Sequence, residues 1–308
     1  MRKESKRTLT ANVTQINHYH AQSDYTVQRA NDFIGGARYF NSDRSVSLNE
    51  VESPKAITIE WEMTSNLTQD GNILATILKP ELERLMPKNF FKFERDCTVD
   101  IEVVAQCATK EFWRNHYAEM KAIYSYLNTI QTYPNARRGA SCGMHVNISV
   151  ACFGKTREQQ LKNIMKLHNL INLDNKHYKF MCDMFHRDRT QTAYCGKMTA
   201  NELPPYNDHS NSMNYSHLEE GTASRLEIRL VGAQQTYGNW RNTMEVIFHL
   251  IKKCKELSEN DFVNNPIKLW SGCNKYVYDR LRSVNDDVML TTSQLRSIYD
   301  SMDNVEYI

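Results

Sequence analysis

The sequence predicts an α+β fold in which an antiparallel sheet carries helices on one apolar face and leaves its other, polar face open. Three observations lead there. First, four short segments alternate polar and apolar side chains: Glu60-Trp61-Glu62, Asp96 through Glu102, His145-Val146-Asn147, and Arg225-Leu226-Glu227-Ile228-Arg229. Residues i and i+2 of a strand share a face. Glu60 therefore sides with Glu62, His145 with Asn147, and Arg225 with Glu227 and Arg229, while Ile57, Ile59, Val146, Ile148, Leu226, Ile228 and Leu230 face the other way. Second, segments with helical spacing alternate with these strands. Third, each strand is apolar on one face only, whereas a doubly wound parallel sheet would need strands apolar on both.

The elements follow in chain order. Residues 1–52 are polar and weakly periodic, and Asp32-Phe33-Ile34-Gly35-Gly36-Ala37 supplies the turn signal there. They read as a partly ordered N-terminal extension. A strand is expected over 56–63. Asn72 to Leu85 has helical spacing, and Pro87 ends it. Phe91 to Ala105 alternates throughout, as one long strand or a hairpin. Trp113, Tyr117, Met120, Tyr124 and Leu127 predict one helix over 111–131. Pro134 and Gly139 mark a loop before a strand at 143–150. A second helix starts near Thr156, which has capping-box spacing to Gln159. Residues 186–212 are polar and irregular; a loop of that length inside a domain is often functional. Strands near 213–218 and 225–231, a helix over 240–257, a mixed tail from 258 and a short helix at 292–302 complete the chain. The organisation expected is an extension (1–52), a catalytic domain (53–258) and a helical tail packed on it (259–308).

Composition narrows the function. The 308 residues include 38 basic and 36 acidic side chains, a formal charge of +2 that gives no push toward nucleic acid or acidic membranes. No apolar run is long enough to span a bilayer. The basic start MRKESKRTLT is followed by no apolar segment of the secretory kind. The eight cysteines show no CxxC spacing and read as reduced cytosolic thiols.

The polar face suggests chemistry. Glu60 and Glu62 stand about 7 Å apart along a strand. They repel unless solvated or bridged by a cation, and oxygen ligands suit Mg²⁺ or Mn²⁺. Asp96, Thr98 and Glu102 are further oxygen donors. Gly143 permits close approach to the backbone beside His145 and Asn147. Arg225 and Arg229 flank Glu227, as an ion-pair ladder or as an anion clamp around a metal-holding carboxylate. Arg187 and Arg189 either add to that clamp or belong to a solvated loop. No P-loop, G-x-G-x-x-G, G-x-S-x-G or H-E-x-x-H occurs. Cys142 and His145 fall on opposite strand faces, which disfavours a nucleophilic dyad.

In this order, the segments resemble the glutamine synthetase-like carboxylate–amine ligase superfamily, and in particular its small amidoligase branch, frequent in phages and bacteria. The E-x-E strand is matched by Ile59-Glu60-Trp61-Glu62, and D-x-S/T followed by E-I-V by Asp96-Cys97-Thr98 and Ile101-Glu102-Val103-Val104. The G-x-H-V-H-I-S strand is matched by Gly143-Met144-His145-Val146-Asn147-Ile148-Ser149 and the T-x-E-x-R strand by Ser224 to Leu230. An R-x-x-x-Y-C element is matched loosely by Arg189 to Cys195. The likeness spans roughly residues 56–250. It departs at Asn147, where the branch has a second histidine, and at Cys97, where it has glycine.

The resemblance implies a curved antiparallel sheet of the glutamine synthetase-like kind and a ligase that uses ATP to activate a carboxylate as an acyl phosphate, which an amine then attacks. It implies Glu60, Glu62, Glu102, His145 and Glu227 as ligands to Mg²⁺ or Mn²⁺. Asn147, Thr98, Arg225 and Arg229 would contact ATP, and Arg225, Arg229 and Arg189 would act on the transferring phosphoryl group. Residues 186–212 would form a lid. Small-molecule or peptide carboxylates and amines would be the substrates, with no nucleic acid and no membrane; a homo-oligomer is compatible with it. The location implied is cytoplasmic, or the host cytoplasm for a phage-encoded chain. Two other readings stand beside it: a non-catalytic binding or structural protein on the same scaffold, suggested by Asn147 and the unusual N-terminal extension, and a metal-dependent phosphohydrolase or nuclease. The charge of +2 argues against a nuclease.

Overall fold

Ile57–Ser65 (β3) is the axis of the sheet, and it reads as the sequence suggests: Ile57, Ile59, Trp61 and Met63 fill the core while Thr58, Glu60 and Glu62 occupy the other face. A computed structural model describes residues 38–42, 45–47, 50–94, 99–134, 143–188, 195–201, 210–219, 224–285 and 289–303. Its strands are Arg38–Phe40 (β1), Ser45–Ser47 (β2), β3, Phe91–Glu94 (β4), Ile101–Ala105 (β5), Cys107–Ala108 (β6), Thr132–Tyr133 (β7), Met144–Ser149 (β8), Met213–Asn214 (β9) and Arg225–Ile228 (β10). Its helices are Gly71–Leu85 (α1), Lys110–Asn115 (α2), Tyr117–Thr129 (α3), Arg157–Asn172 (α4), Asn175–Met184 (α5), Tyr237–Glu256 (α6), Glu259–Asn264 (α7), Pro266–Trp270 (α8), Lys275–Val284 (α9) and Thr292–Asp300 (α10). The fold is α+β, and the sheet curls into a half-barrel ordered β2-β1-β6-β3-β8-β10-β9, with β4 on β5 and β5 and β7 on β3.

The sheet is mixed, not purely antiparallel, because β1 runs parallel to β6. This strand comes from the stretch read as an N-terminal extension. Phe40 anchors it, buried with its ring 5.0 Å from Phe90 and 5.4 Å from Phe112. The segment from Phe91 to Ala105 is a hairpin of β4 and β5. The single helix expected over 111–131 is two, broken at His116. Its imidazole turns back to bond the Phe112 carbonyl at 2.8 Å and stacks on the Phe112 ring, which leaves His116 outside helical geometry. Thr156 caps α4 by accepting from Gln159 N, but Gln159 reaches Lys155 N instead of closing the box on Thr156.

Helices cover the apolar face. Trp61 stacks on Phe91 and meets Tyr124 edge-on, and Trp113 lies between the sheet and Trp240 of α6, its indole N–H bonded to the Ile57 carbonyl. Helix α5 and the helices α7 to α9 carry no strong sequence signal. Asp174, Ser258, Asn265 and Asn274 each cap one of them. Among the described residues no helix is long and apolar enough to cross a membrane. Cys107, Cys152, Cys182, Cys195, Cys254 and Cys273 are free thiols; Cys97 and Cys142 lie outside the described residues.

The buried His249 and the partly buried His186 set an acid limit. His249 donates to the Leu269 carbonyl at 2.7 Å and stacks on Trp270; burial lowers its pKa to about 3. Burial and the Arg280 charge likewise lower His186 to about 3. Both stay neutral in the fold while the unfolded chain takes up their protons below about 6.5. The unfolded state thus binds more protons between about pH 6.5 and 3, and stability is lost as pH falls through that window. Each contributes a slope of up to about 1.4 kcal/mol per pH unit. Denaturant melts across this range should flatten by that amount in His249→Phe; an unchanged slope would exclude His249 as a contributor.

Candidate functional site

The register of six strands sets polar side chains in rows across one face. Glu94, Glu102 and Glu62 are cross-strand neighbours on β4, β5 and β3. Glu60 stands opposite His145. Thr58, Asn147, Glu227 and Asn214 form the next row through β3, β8, β10 and β9. Alternation along each strand keeps all of these on the side away from Trp61 and Val146. Of the residues singled out from sequence, Glu60, Glu62, Glu102, His145, Asn147, Arg225, Glu227 and Arg229 come together here. Asp96, Thr98 and Arg189 lie outside the described residues.

The contacts are dense. His145 is the hub: its Nδ1 lies 3.4 Å from Glu60 and 3.4 Å from Glu227, and its Nε2 3.5 Å from Glu62. Asn147 donates to Glu60 at 2.6 Å and accepts from Arg225 Nε at 3.2 Å. Glu227 accepts from Asn214 at 2.8 Å and from Arg229 Nη1 at 2.6 Å. Gly143 N donates to Glu62, and the Glu62 N–H returns to the Gly143 carbonyl at 3.2 Å. Arg229 Nε is buried and has no hydrogen-bond partner among the described residues.

The face is not open as expected. Glu62, His145, Asn147 and Glu227 are all buried, while Glu60, Glu102, Arg225 and Arg229 keep some exposure. Apart from Arg229 Nε, the buried polar groups named above bond one another instead of water, and β9 covers the β10 edge. Glu62 is therefore not the solvent-facing carboxylate that strand parity alone suggests; its loss would strand Gly143 N and alter the core of the cluster.

Crowding shifts the titrations. Burial, then the charge of Glu60, pushes the Glu102 carboxyl well above the usual carboxylate range, with His145 acting against this. Burial alone would lower His145. The bond to Glu60 and the charges of Glu62 and Glu227 outweigh it and raise the imidazole to about 9 despite Arg229. Burial would raise Glu227, but His145 and Arg229 hold it below its ordinary value.

Compared with known proteins, the sequence matches no protein-family model and no curated protein.

The donor set suits a divalent cation. One ligand atom each from Glu60, Glu102 and His145 falls within 4.8 Å of the others. Two carboxylates and an imidazole are ligands that Mn²⁺ or Mg²⁺ accepts.

Sequence reasoning missed two contributors and the role of a third. Glu94 carried the right alternation, but only the hairpin register sets it beside Glu102. Asn214 carried no signal beyond its strand. Arg187, read as a clamp or a solvated loop residue, is buried, and its guanidinium bonds the main-chain carbonyls of Arg229, Leu230 and Val231. The loop from 186 to 212 is described only in part. His168, Asn169 and Asn172 of α4 bond Thr199, Asn201, Met198 and Ser212, so its described middle and its C-terminal end are tied to that helix.

Proposed function

We propose that the protein is an ATP- and Mg²⁺- or Mn²⁺-dependent carboxylate–amine ligase on a glutamine synthetase-like fold. One observation carries the reading: Glu60, Glu62, Glu102, His145 and Glu227 share one sheet face with Arg225 and Arg229. Glu60, Glu102 and His145 would hold the cation, with Glu62 and Glu227 beside them. Bound there, a divalent cation neutralises polyphosphate charge and polarises the phosphoryl group under attack. The chain's own part is to orient and to shield. Arg229, tethered by Glu227, offers its buried Nε–H toward an anion. Arg225, braced on Asn147, offers a second guanidinium at the other end of the face. A carboxylate converted to an acyl phosphate must be kept from water, and the burial of this face suits that need.

A second reading has its own observation. His145, held protonated, balances part of the surrounding carboxylate charge, and Asn147 is engaged by Glu60 and Arg225. Such a self-satisfied network also suits a non-catalytic protein on the same scaffold. ATP consumption by the wild type and by Arg229→Lys, across a panel of acids and amines with Mg²⁺ or Mn²⁺, separates the two. The ligase reading expects turnover that falls on the order of tenfold to a thousandfold in Arg229→Lys at nearly constant melting temperature. Absence of divalent-dependent nucleotide binding in the wild type would leave the non-catalytic reading.

A further inference from the structure

The geometry points to Arg187 as the positioning residue of this site: a buried strap that fixes the Arg229 end of β10 and the Gly143 end of β8, and through them Glu227 and Glu62. The inference rests on the metal-site reading above and deepens it.

The contacts around Arg187 carry it. Arg187 is buried, yet its acceptors among the described residues are not carboxylates. Nη2 donates to the carbonyls of Arg229 at 3.1 Å and Val231 at 2.6 Å, and Nε to that of Leu230 at 3.3 Å. A planar fork with fixed donors suits three successive carbonyls, and an ammonium on a flexible stem does not. The chain makes room for it: a Cβ on Gly143 would sit 2.6 Å from Arg187 Nη2, and one on Gly232 would sit 2.1 Å from the His186 carbonyl oxygen. Gly143 is also the residue whose N–H binds Glu62. His186 adopts a left-handed φ of 56°, which a non-glycine residue keeps only where its surroundings enforce it. Main-chain bonds close the crossing, from Arg187 N to the Cys182 carbonyl and from Gly232 N to the Phe185 carbonyl. The crossing therefore lies where β8 and the extension of β10 meet, at Gly143 and Gly232. Arg229, whose Nη1 holds Glu227, has its own carbonyl held by Arg187. Side-chain placement in a metal site depends on such supporting contacts.

The test compares wild type with Arg187→Lys and Arg187→Gln by melting temperature, by residue-resolved amide hydrogen exchange and by Mn²⁺ titration followed by electron paramagnetic resonance. The expected result is a lowered melting temperature with the fold retained, faster exchange confined to residues 143–146 and 229–232, and Mn²⁺ binding weakened on the order of tenfold or more. Unchanged exchange and affinity would overturn the inference. So would global unfolding of both variants, which would assign Arg187 to the fold at large. If the wild type binds no Mn²⁺, the metal reading of the site fails by itself. The strap is then judged on exchange: local acceleration upholds it, and uniform or absent change overturns it.

Discussion

Glu245→Ala should lower the unfolding free energy by about 3–5 kcal/mol, a large part of the 5–15 kcal/mol typical of a folded domain. Glu245 is buried in the middle of α6. Its two oxygens take Arg114 Nε at 3.0 Å and Nη2 at 2.5 Å, the Tyr117 hydroxyl at 2.5 Å and Asn274 Nδ2 at 2.7 Å. One carboxylate thus joins α2, α3, α6 and the start of α9. Burial and the Glu245 charge raise the Tyr117 phenol well above its ordinary value, so it remains a donor. Truncation takes from Arg114 the carboxylate that grips it at two points and removes the acceptor of the Tyr117 hydroxyl and of Asn274 Nδ2. Glu245→Gln keeps the shape and should cost less. Equilibrium urea unfolding of both variants measures the difference. A cost under about 1 kcal/mol for the alanine variant would show that water replaces the carboxylate without penalty.

Glu60→Gln should weaken Mn²⁺ binding on the order of 100-fold or more, about 2.7 kcal/mol, while leaving the melting temperature unchanged or raised. Glu60 is one of the three residues whose ligand atoms cluster within 4.8 Å. It is also the charge that acts most strongly on Glu102. The amide keeps an oxygen for Asn147 and removes that repulsion, so the apoprotein loses little. Function and stability then move in opposite directions, as expected of a group retained for binding. Calorimetric titration with Mn²⁺, alongside thermal melts, reads both. Equal affinity in the variant would remove Glu60 from the cation site. A melting temperature well below wild type would make it part of the fold instead.

How much of this was legible depended on whether the information lay in alternation or in register. Period two in Glu60-Trp61-Glu62, His145-Val146-Asn147 and Arg225 to Arg229 fixed which side chains share a face, and that suffices to gather them once the strands pair. The spacing of Trp240, Met244, Ile247, Phe248 and Ile251 gave α6 within a few residues. The parallel pairing of β1 was not legible, because it depends on two residue pairs and one buried phenylalanine within a polar stretch. Glu245 was hidden inside an apolar helix pattern, since its partners come from three other elements. Arg187 was hidden for another reason: its acceptors are main-chain carbonyls, which leave no residue type for a pattern to show. The expectation of an open polar face failed because parity fixes the direction of a side chain and says nothing of what covers it.

The rows of the polar face also set the order in which the molecule can assemble. Asn147 reaches Glu60 across 87 positions of chain, His145 reaches Glu60 across 85, Gly143 reaches Glu62 across 81 and Arg225 reaches Asn147 across 78. None of these contacts is local, so each closes a long loop before any free energy is returned. The acidic strands therefore gain these partners only when β8 and β10 have both docked, whichever comes first. A ligand that needs the whole cluster finds no partner on the unfolded chain or early in folding. Its grip would be felt in how slowly the finished protein comes apart, and hardly at all in how fast it forms.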